Sequence, residues 1–332
     1  MRKANKRIVI LLAASLLTCI ITATSGVRGQ NRDTAAPEGG ERAARKQEKR
    51  GSVRPVTIPI TIRFRHESKE KRELESVGDI TVREDGETQK VISQRGIGAS
   101  PLTLAVLIQD GVVPSVSSDI TRIADFVRHL PRGSRVLVGY IRSGSLQVRQ
   151  KFTSDLERAA STMRAPIPFA SASSSNTYQE IIEGLRRFDS QPTGRRAILV
   201  VSDGLDSSQG FSIAPQSLNL ERAIKEAQRR SVAVYAFYAP TVITASGGNQ
   251  LLIGNAQGSL ERLSEETGGR AFFQGTGAPV SFEPYLRDLA TSLSRQIAVT
   301  YLSTHTNKGY HRIQVQSDRE DVEIDHPTGY TR

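Results

Sequence analysis

Two apolar runs in this chain end in a carboxylate: "LAVLIQD" closes on Asp110 and "AILVVSD" on Asp203. In an open α/β sheet, ligands bind outside the carboxyl ends of the strands, where the strand order reverses. Two acids at such ends repel each other unless a proton or a cation lies between them. A hard divalent cation such as Mg2+ or Mn2+ suits oxygen donors of this kind. A third source of oxygen is nearby in sequence terms, because the Ser/Thr-rich "FASASSSNT" ends at Thr177 just before an amphipathic stretch. Helix capping by Thr177, Ser175 or Asn176 is the competing use of those side chains. Asp206 in "SDGLDSS" reads either as a supporting residue of the same crevice or as a solvated loop acid.

Other chemistries find less support. The five histidines are His66, His129, His305, His311 and His326. None forms a pair at metalloprotease spacing on a helix, and the last three fall on predicted strands, so no zinc site is expected. "DGVVPS" after the first apolar run is neither a phosphate loop nor a dinucleotide fingerprint. There is no G-x-S-x-G nucleophile elbow, and "RSGSL" reads as a hairpin turn. The sequence therefore predicts no enzyme. A hydrolase on the same sheet would require a deep pocket with a nucleophile beside a histidine.

The elements that position the two acids follow from periodicity. "VTIPITIRF" alternates with period two, and "DITVREDGETQKVIS" gives two short strands around Asp85-Gly86, a hairpin signal. From Leu102 onward, strands alternate with helical stretches. "DITRIADFVRHL" carries apolar residues at helical spacing, with Ser118 or Asp119 as its cap, and "SDLERAASTM" is capped by Ser154. "RAILVVSDG" is apolar throughout, as a parallel strand covered on both faces should be. The alternation specifies an α/β fold, a doubly wound and mostly parallel sheet with helices on both faces. After Gln296 the period returns to two in "IAVTYLST", "HRIQVQS" and "DVEID". The two flanks are thus expected to pair into a small antiparallel β unit beside the core.

The N-terminus reads as an export signal, with Arg2, Lys3, Lys6 and Arg7 ahead of an apolar run from Ile8 to Ala23 and small residues suited to cleavage after Ser25 or Gly29. An uncleaved anchor is the alternative. Cys19, the single cysteine, lies in this leader, so removal of the leader would leave no thiol chemistry and no disulfide. Of the 45 Lys/Arg and 34 Asp/Glu, residues 1–54 hold twelve and four, leaving 33 against 30 for the rest. The basic excess thus sits in the leader and the polar linker after it. That argues against nucleic-acid binding and limits membrane contact to an uncleaved signal or to the linker. Residues 30–54 contain almost no large apolar side chain and read as disordered. The expected organisation is signal peptide 1–29, basic linker 30–54, N-terminal β flank 55–98, core domain 99–296 and C-terminal β flank 297–332.

The strand–Asp–helix opening, the Ser/Thr loop before an amphipathic helix, and "ILVVSDGLDSS" resemble a von Willebrand factor type A domain. "REDGETQKV" and "GYHRIQV…GY" in the flanks resemble, more narrowly, the VWFA-related family found widely in acidobacteria, over roughly residues 55 to 330. The resemblance implies a metal-ion-dependent adhesion site with the pattern Asp-x-Ser-x-Ser, a Thr from a later loop and a further Asp. It carries these metal-ligand roles onto Asp110, Thr177 and Asp203. The two serine positions hold Val112 and Pro114, neither of which offers an oxygen. Ser115, Ser117 or water would have to substitute. The expectation is an exported, periplasmic or envelope-associated, non-enzymatic binding module with a degenerate site for Mg2+ or Mn2+. Its partner would be a protein or cell-envelope component, with no small-molecule substrate. The alternative is a metal-free structural scaffold.

Overall fold

The computed structural model describes residues 53–65, 78–142, 144–168, 176–206, 217–241, 244 and 250–332. The expected signal peptide and nearly all of the basic linker lie outside these residues, as does His66. Among the described residues, no helix is long and apolar enough to cross a membrane.

Two sheets carry the fold. The core sheet has six strands, β4 (Thr103–Gln109), β5 (Arg135–Arg142), β6 (Ser145–Thr153), β7 (Arg196–Ser202), β8 (Ala233–Tyr238) and β9 (Ala271–Phe272), in the order β6-β5-β4-β7-β8-β9. All neighbours are parallel except β6, which folds back antiparallel on β5. β4 and β7 are buried at every position, which explains why their sequences read as continuous apolar runs rather than alternations.

Helices cover both faces. On one side, α1 (Ser117–Arg128), α2 (Leu156–Ser161) and α6 (Glu283–Ser294) pack Ile123, Val127, Leu289 and Leu293 onto Val106, Val138, Leu199 and Phe237. On the other, α3 (Thr177–Arg186), α4 (Leu218–Arg230) and α5 (Gln250–Glu265) pack Ile181, Leu185, Ala223 and Leu263 onto Leu107, Leu137, Val200 and Val234. Within each strand, alternate residues serve opposite faces, as the pleat requires.

The flanks form a second sheet. β1 (Arg54–Phe64), β2 (Ile80–Glu84), β3 (Glu87–Arg95), β10 (Gln296–Ser303), β11 (Tyr310–Ser317), β12 (Val322–Asp325) and β13 (Gly329–Thr331) lie in the order β12-β1-β10-β3-β2-β11-β13. With seven strands it is larger than the core sheet and not a minor appendage. β1 and β10 pair antiparallel across eight positions, from Arg54↔Ser303 to Thr61↔Gln296. The β2–β3 hairpin turns at Asp85 and Gly86, with φ of 50° and 87°, the pair of left-handed residues that a tight hairpin demands. The flank sheet is bonded to the core through Thr61 Oγ1, 3.2 Å from the Tyr235 hydroxyl, and through Gln228 Nε2, which donates to Thr328 Oγ1 at 3.3 Å.

Some local capping differs from the sequence reading. Neither Ser118 nor Asp119 caps α1. Its N-cap is Val116, with no side-chain cap bond, and Asp119 instead accepts the Phe282 N–H at 3.0 Å, fixing the entry to α6. The cap of α2 is Asp155, which accepts from Arg158 N at 2.9 Å, rather than Ser154. A helix this short takes whichever neighbouring oxygen reaches its free N–H groups.

Candidate functional site

The parallel register of β4 and β7, ending at Ile108↔Val201, brings Asp110 and Asp203 to neighbouring strand tips. β5 lies on one side of β4 and β7 on the other, so this is the position where strand order reverses. Gln109 bridges the two tips. Its Oε1 accepts from Ser202 Oγ and from Asp203 N at 3.2 Å.

Both acids are 2% exposed, and each already has internal partners. Asp110 is held by a residue that no motif or period singles out. Arg164 Nη1 lies 2.8 Å from Oδ1 and Nη2 lies 2.8 Å from Oδ2, a two-pronged guanidinium–carboxylate pair. Ile167 N donates to the same Oδ1 at 2.7 Å, and Gly111 N to Ile167 O at 2.9 Å. The 163–168 segment is thereby sewn across the strand tip. The Arg164 guanidinium also stacks over the Tyr140 ring, 3.9 Å from its centroid, while Arg164 N donates to the Tyr140 hydroxyl at 2.6 Å. The Asp110 hydrogen bonds hold the Arg164 proton more tightly than usual, against the opposing effect of burial.

Among the described residues, Asp203 has no such cation. Thr241 Oγ1 donates to its Oδ2 at 2.8 Å, and Leu205 N to its Oδ1 at 3.1 Å. Burial pushes its carboxyl up, and those hydrogen bonds only partly oppose the shift. The chain turns away at Gly204, whose φ is 73°. A Cβ there would lie 2.6 Å from Ala256 O, so only glycine fits.

The hydroxyl positions are structural. Val112 is buried in the core and forms a bridge with Thr241, and Val113 N donates to Pro240 O at 2.9 Å. Pro114 opens a short 3-10 turn over Pro114–Val116 that leads into α1. Ser115 lies on its exposed side, and its carbonyl accepts from Ser118 Oγ. Ser117 is the first residue of α1.

Thr177 is fully buried at the first position of α3, and its Oγ1 has no hydrogen-bond partner among the described residues. The cap is Asn176, whose Oδ1 accepts from Gln179 N at 3.0 Å. Asp206 accepts from Ser217 Oγ at 2.6 Å and Asn219 Nδ2 at 2.8 Å, tying the start of α4 to the strand tip. One turn along α3, Glu180 is fully buried. Burial, reinforced by Glu183, pushes its carboxyl up to about 8, so it carries a proton at neutral pH.

No family model matches the chain, and no curated protein matches it. Solved structures do. An aerotolerance-related membrane protein from Bacteroides fragilis aligns at 14% identity and a TM-score of 0.42, covering 58% of this chain and 98% of that one. The conserved hypothetical protein BatB from Bacteroides thetaiotaomicron aligns at 18% identity and a TM-score of 0.42, over 58% and 97%. A von Willebrand factor type A structure from Catenulispora acidiphila aligns at 10% identity and a TM-score of 0.43, over 74% and 71%. The chain's own strand order, its single antiparallel edge strand and its helices on both faces carry the assignment. The core has a von Willebrand type A-like fold.

Outside the edge of this type A core, the C-terminal histidines fall into place. His311 Nδ1 lies 2.7 Å from Asp85 Oδ2 and its Nε2 lies 2.9 Å from Asn307 O, while the His305 ring centroid is 5.5 Å away. His326 accepts from Val315 N at 3.4 Å. Among the described residues, no group of three His, Cys, Asp or Glu is arranged to hold a metal ion.

Proposed function

We propose that the chain is an exported, non-enzymatic binding module whose type A edge docks a protein or envelope component without a metal ion. One observation carries this reading: the Arg164 guanidinium takes up both oxygens of Asp110. A cation bonded to the first strand-tip acid is thus supplied by the chain itself. The donors left over do not fit Mg2+ or Mn2+. Such an ion wants near-octahedral oxygen, but Val112 and Pro114 have no side-chain oxygen, and both Asp203 oxygens already accept hydrogen bonds. Of the ligand set Asp110, Thr177 and Asp203, only the Thr177 hydroxyl is uncommitted among the described residues.

Docking would then use the exposed rim around Pro114, Ser115 and Ser118, not the buried acids. Calorimetry of the wild type with Mg2+, Mn2+ and Zn2+ should be silent, and partner capture from an envelope extract should persist in chelator and be lost in a Ser115→Arg, Ser118→Arg variant. A cation isotherm that disappears in Asp203→Ala would overturn the metal-free reading. The second reading, a structural scaffold, is favoured by the size of the seven-stranded flank sheet. It predicts that the rim substitutions change nothing that the wild type captures.

A further inference from the structure

At the other end of the core sheet, a cavity of about 600 Å³ opens between the flank sheet, the start of β7 and the end of α4. Its volume falls within the range of about 300–1,000 Å³ typical of small-molecule sites. Four guanidiniums line it, from Arg95 on β3, Arg196 at the start of β7, and Arg229 and Arg230 at the end of α4. Asp189 is the one carboxylate in its wall among the described residues.

These arginines differ in what they have left to offer. Arg230 is committed, with Nε 2.9 Å and Nη2 3.0 Å from the two Asp189 oxygens and Nη1 on Glu226. Arg196 spends its donors on three carbonyls, Pro192 O at 3.0 Å, Arg230 O at 2.9 Å and Gln191 O. Each of its nitrogens is hydrogen-bonded to a carbonyl, and among the described residues it forms no salt bridge. Among the described residues, Arg229 pairs only with Glu226, at 3.2 Å, and its side chain is 47% exposed. Arg95 is the most available, since its guanidinium makes no hydrogen bond or ion pair among the described residues.

The charge balance follows. Four guanidiniums face two carboxylates, Asp189 and Glu226, a surplus of two positive charges. The C-terminal end of α4 adds about half a negative charge, which leaves the cavity strongly positive. Hydroxyls of Thr193 and Ser231 and the Thr57–Thr300 pair, 2.8 Å apart, add neutral hydrogen-bonding groups.

We propose that this cavity binds a small organic oxyanion, a phosphate or carboxylate on a hydroxylated carrier of the sugar-acid kind, with Arg95 as its principal contact and Arg229 as its second. The guanidinium fork is the side chain best shaped to take two oxygens of one anion, and the surrounding hydroxyls suit a carrier that presents its own.

The test is calorimetry of the intact protein with inorganic phosphate, glucose 6-phosphate and glucuronate as probes. Saturable binding is expected, weakened about tenfold or more in Arg95→Gln, the scale of one lost charge-assisted hydrogen bond. Arg229→Gln should weaken it less, and Arg222→Gln, on the exposed side of α4 two turns earlier, should leave it unchanged. Neither Arg95 nor Arg229 holds a buried ion pair, so both variants should melt as the wild type does. Response to glucose 6-phosphate but not glucuronate assigns a phosphate ester, and the reverse assigns a carboxylate. Silence toward all three probes, or an affinity unmoved in both Arg95→Gln and Arg229→Gln, overturns the proposal.

Discussion

Replacing Arg164 by alanine removes the cation from beneath Asp110 and leaves a carboxylate that water does not reach. The Asp110 side chain is 0% exposed and that of Arg164 26% exposed, so the pair is buried on the acid's side and partly open on the base's. Removing one member of a buried pair costs about 3–5 kcal/mol, most of it from the charge left uncompensated. Of the three hydrogen bonds that Asp110 accepts in this segment, Arg164→Ala removes two and leaves only the Ile167 N–H. The stacking on Tyr140 disappears as well, worth about 0.5–1 kcal/mol. The partial exposure of Arg164 puts the expected loss near the lower bound, about 3 kcal/mol at neutral pH. Urea denaturation followed by far-UV circular dichroism measures it directly. Asp110→Asn in the Arg164→Ala background removes the stranded charge, so the double variant should be less destabilised than the two single changes summed, with a coupling of about 2 kcal/mol. A loss below about 1 kcal/mol, or strict additivity, would show that the guanidinium does not neutralise Asp110, and the metal-free reading would go with it.

Two further outcomes concern protons. Glu180 has a folded value raised from 4.5 to about 8, so the folded chain keeps a proton that the unfolded chain releases, and wild-type stability falls as pH rises through that interval. Glu180→Gln lacks this slope and should gain on the wild type by up to about 5 kcal/mol by pH 8.5; a difference that stays flat with pH between 5 and 8.5 would refute the assignment. At the β2–β3 hairpin, burial is the largest single influence and acts against both charges, but the His311–Asp85 hydrogen bond, the backbone bonds to Asn307 O and from Arg312 N, and the attraction between the charges together outweigh it, raising His311 and lowering Asp85. The pair's stabilisation is therefore complete between the ordinary aspartate and histidine values and is lost as pH rises through the elevated histidine value. His311→Asn should cost more near pH 5.5 than near pH 8.5 by thermal melting, and an equal cost at both would argue against the charged pair.

The architecture was legible because burial writes itself into periodicity. β4 and β7 are apolar at nearly every position since both faces are covered, and the flanks alternate because much of their second face is open, as in the buried–exposed pattern of β11. Asp110 and Asp203 were legible as the points where those apolar runs stop. Arg164 was not. It sits in "STMRAPIPF", a stretch without period, and its partner is 54 residues away. Asp119 shows the same limit. A local reading makes it the cap of the helix that follows, while in the fold it serves Phe282, 163 residues on. Contacts that depend on which loops meet over a strand tip leave no mark in nearby residues.

The charge arithmetic at the edge ties these observations together. A divalent ion between two carboxylates would balance both, and each acid would be held ionised. A guanidinium carries one positive charge and is fully engaged with one acid, so the second acid must be accommodated by other means. Asp203 answers to that description. It has a hydroxyl and an amide as partners, no cation within salt-bridge distance among the described residues, and a carboxyl pushed upward by burial. Val112 and Pro114 follow from the same substitution. With the cation built into the chain, the residues after Asp110 no longer need to bring oxygen, and Val112 instead packs into the core and pairs with Thr241, the residue that holds Asp203. On the metal-free reading proposed above, one exchange, an arginine side chain for an ion, accounts for the two absent hydroxyls, the unequal environments of the two acids and the closed strand tip.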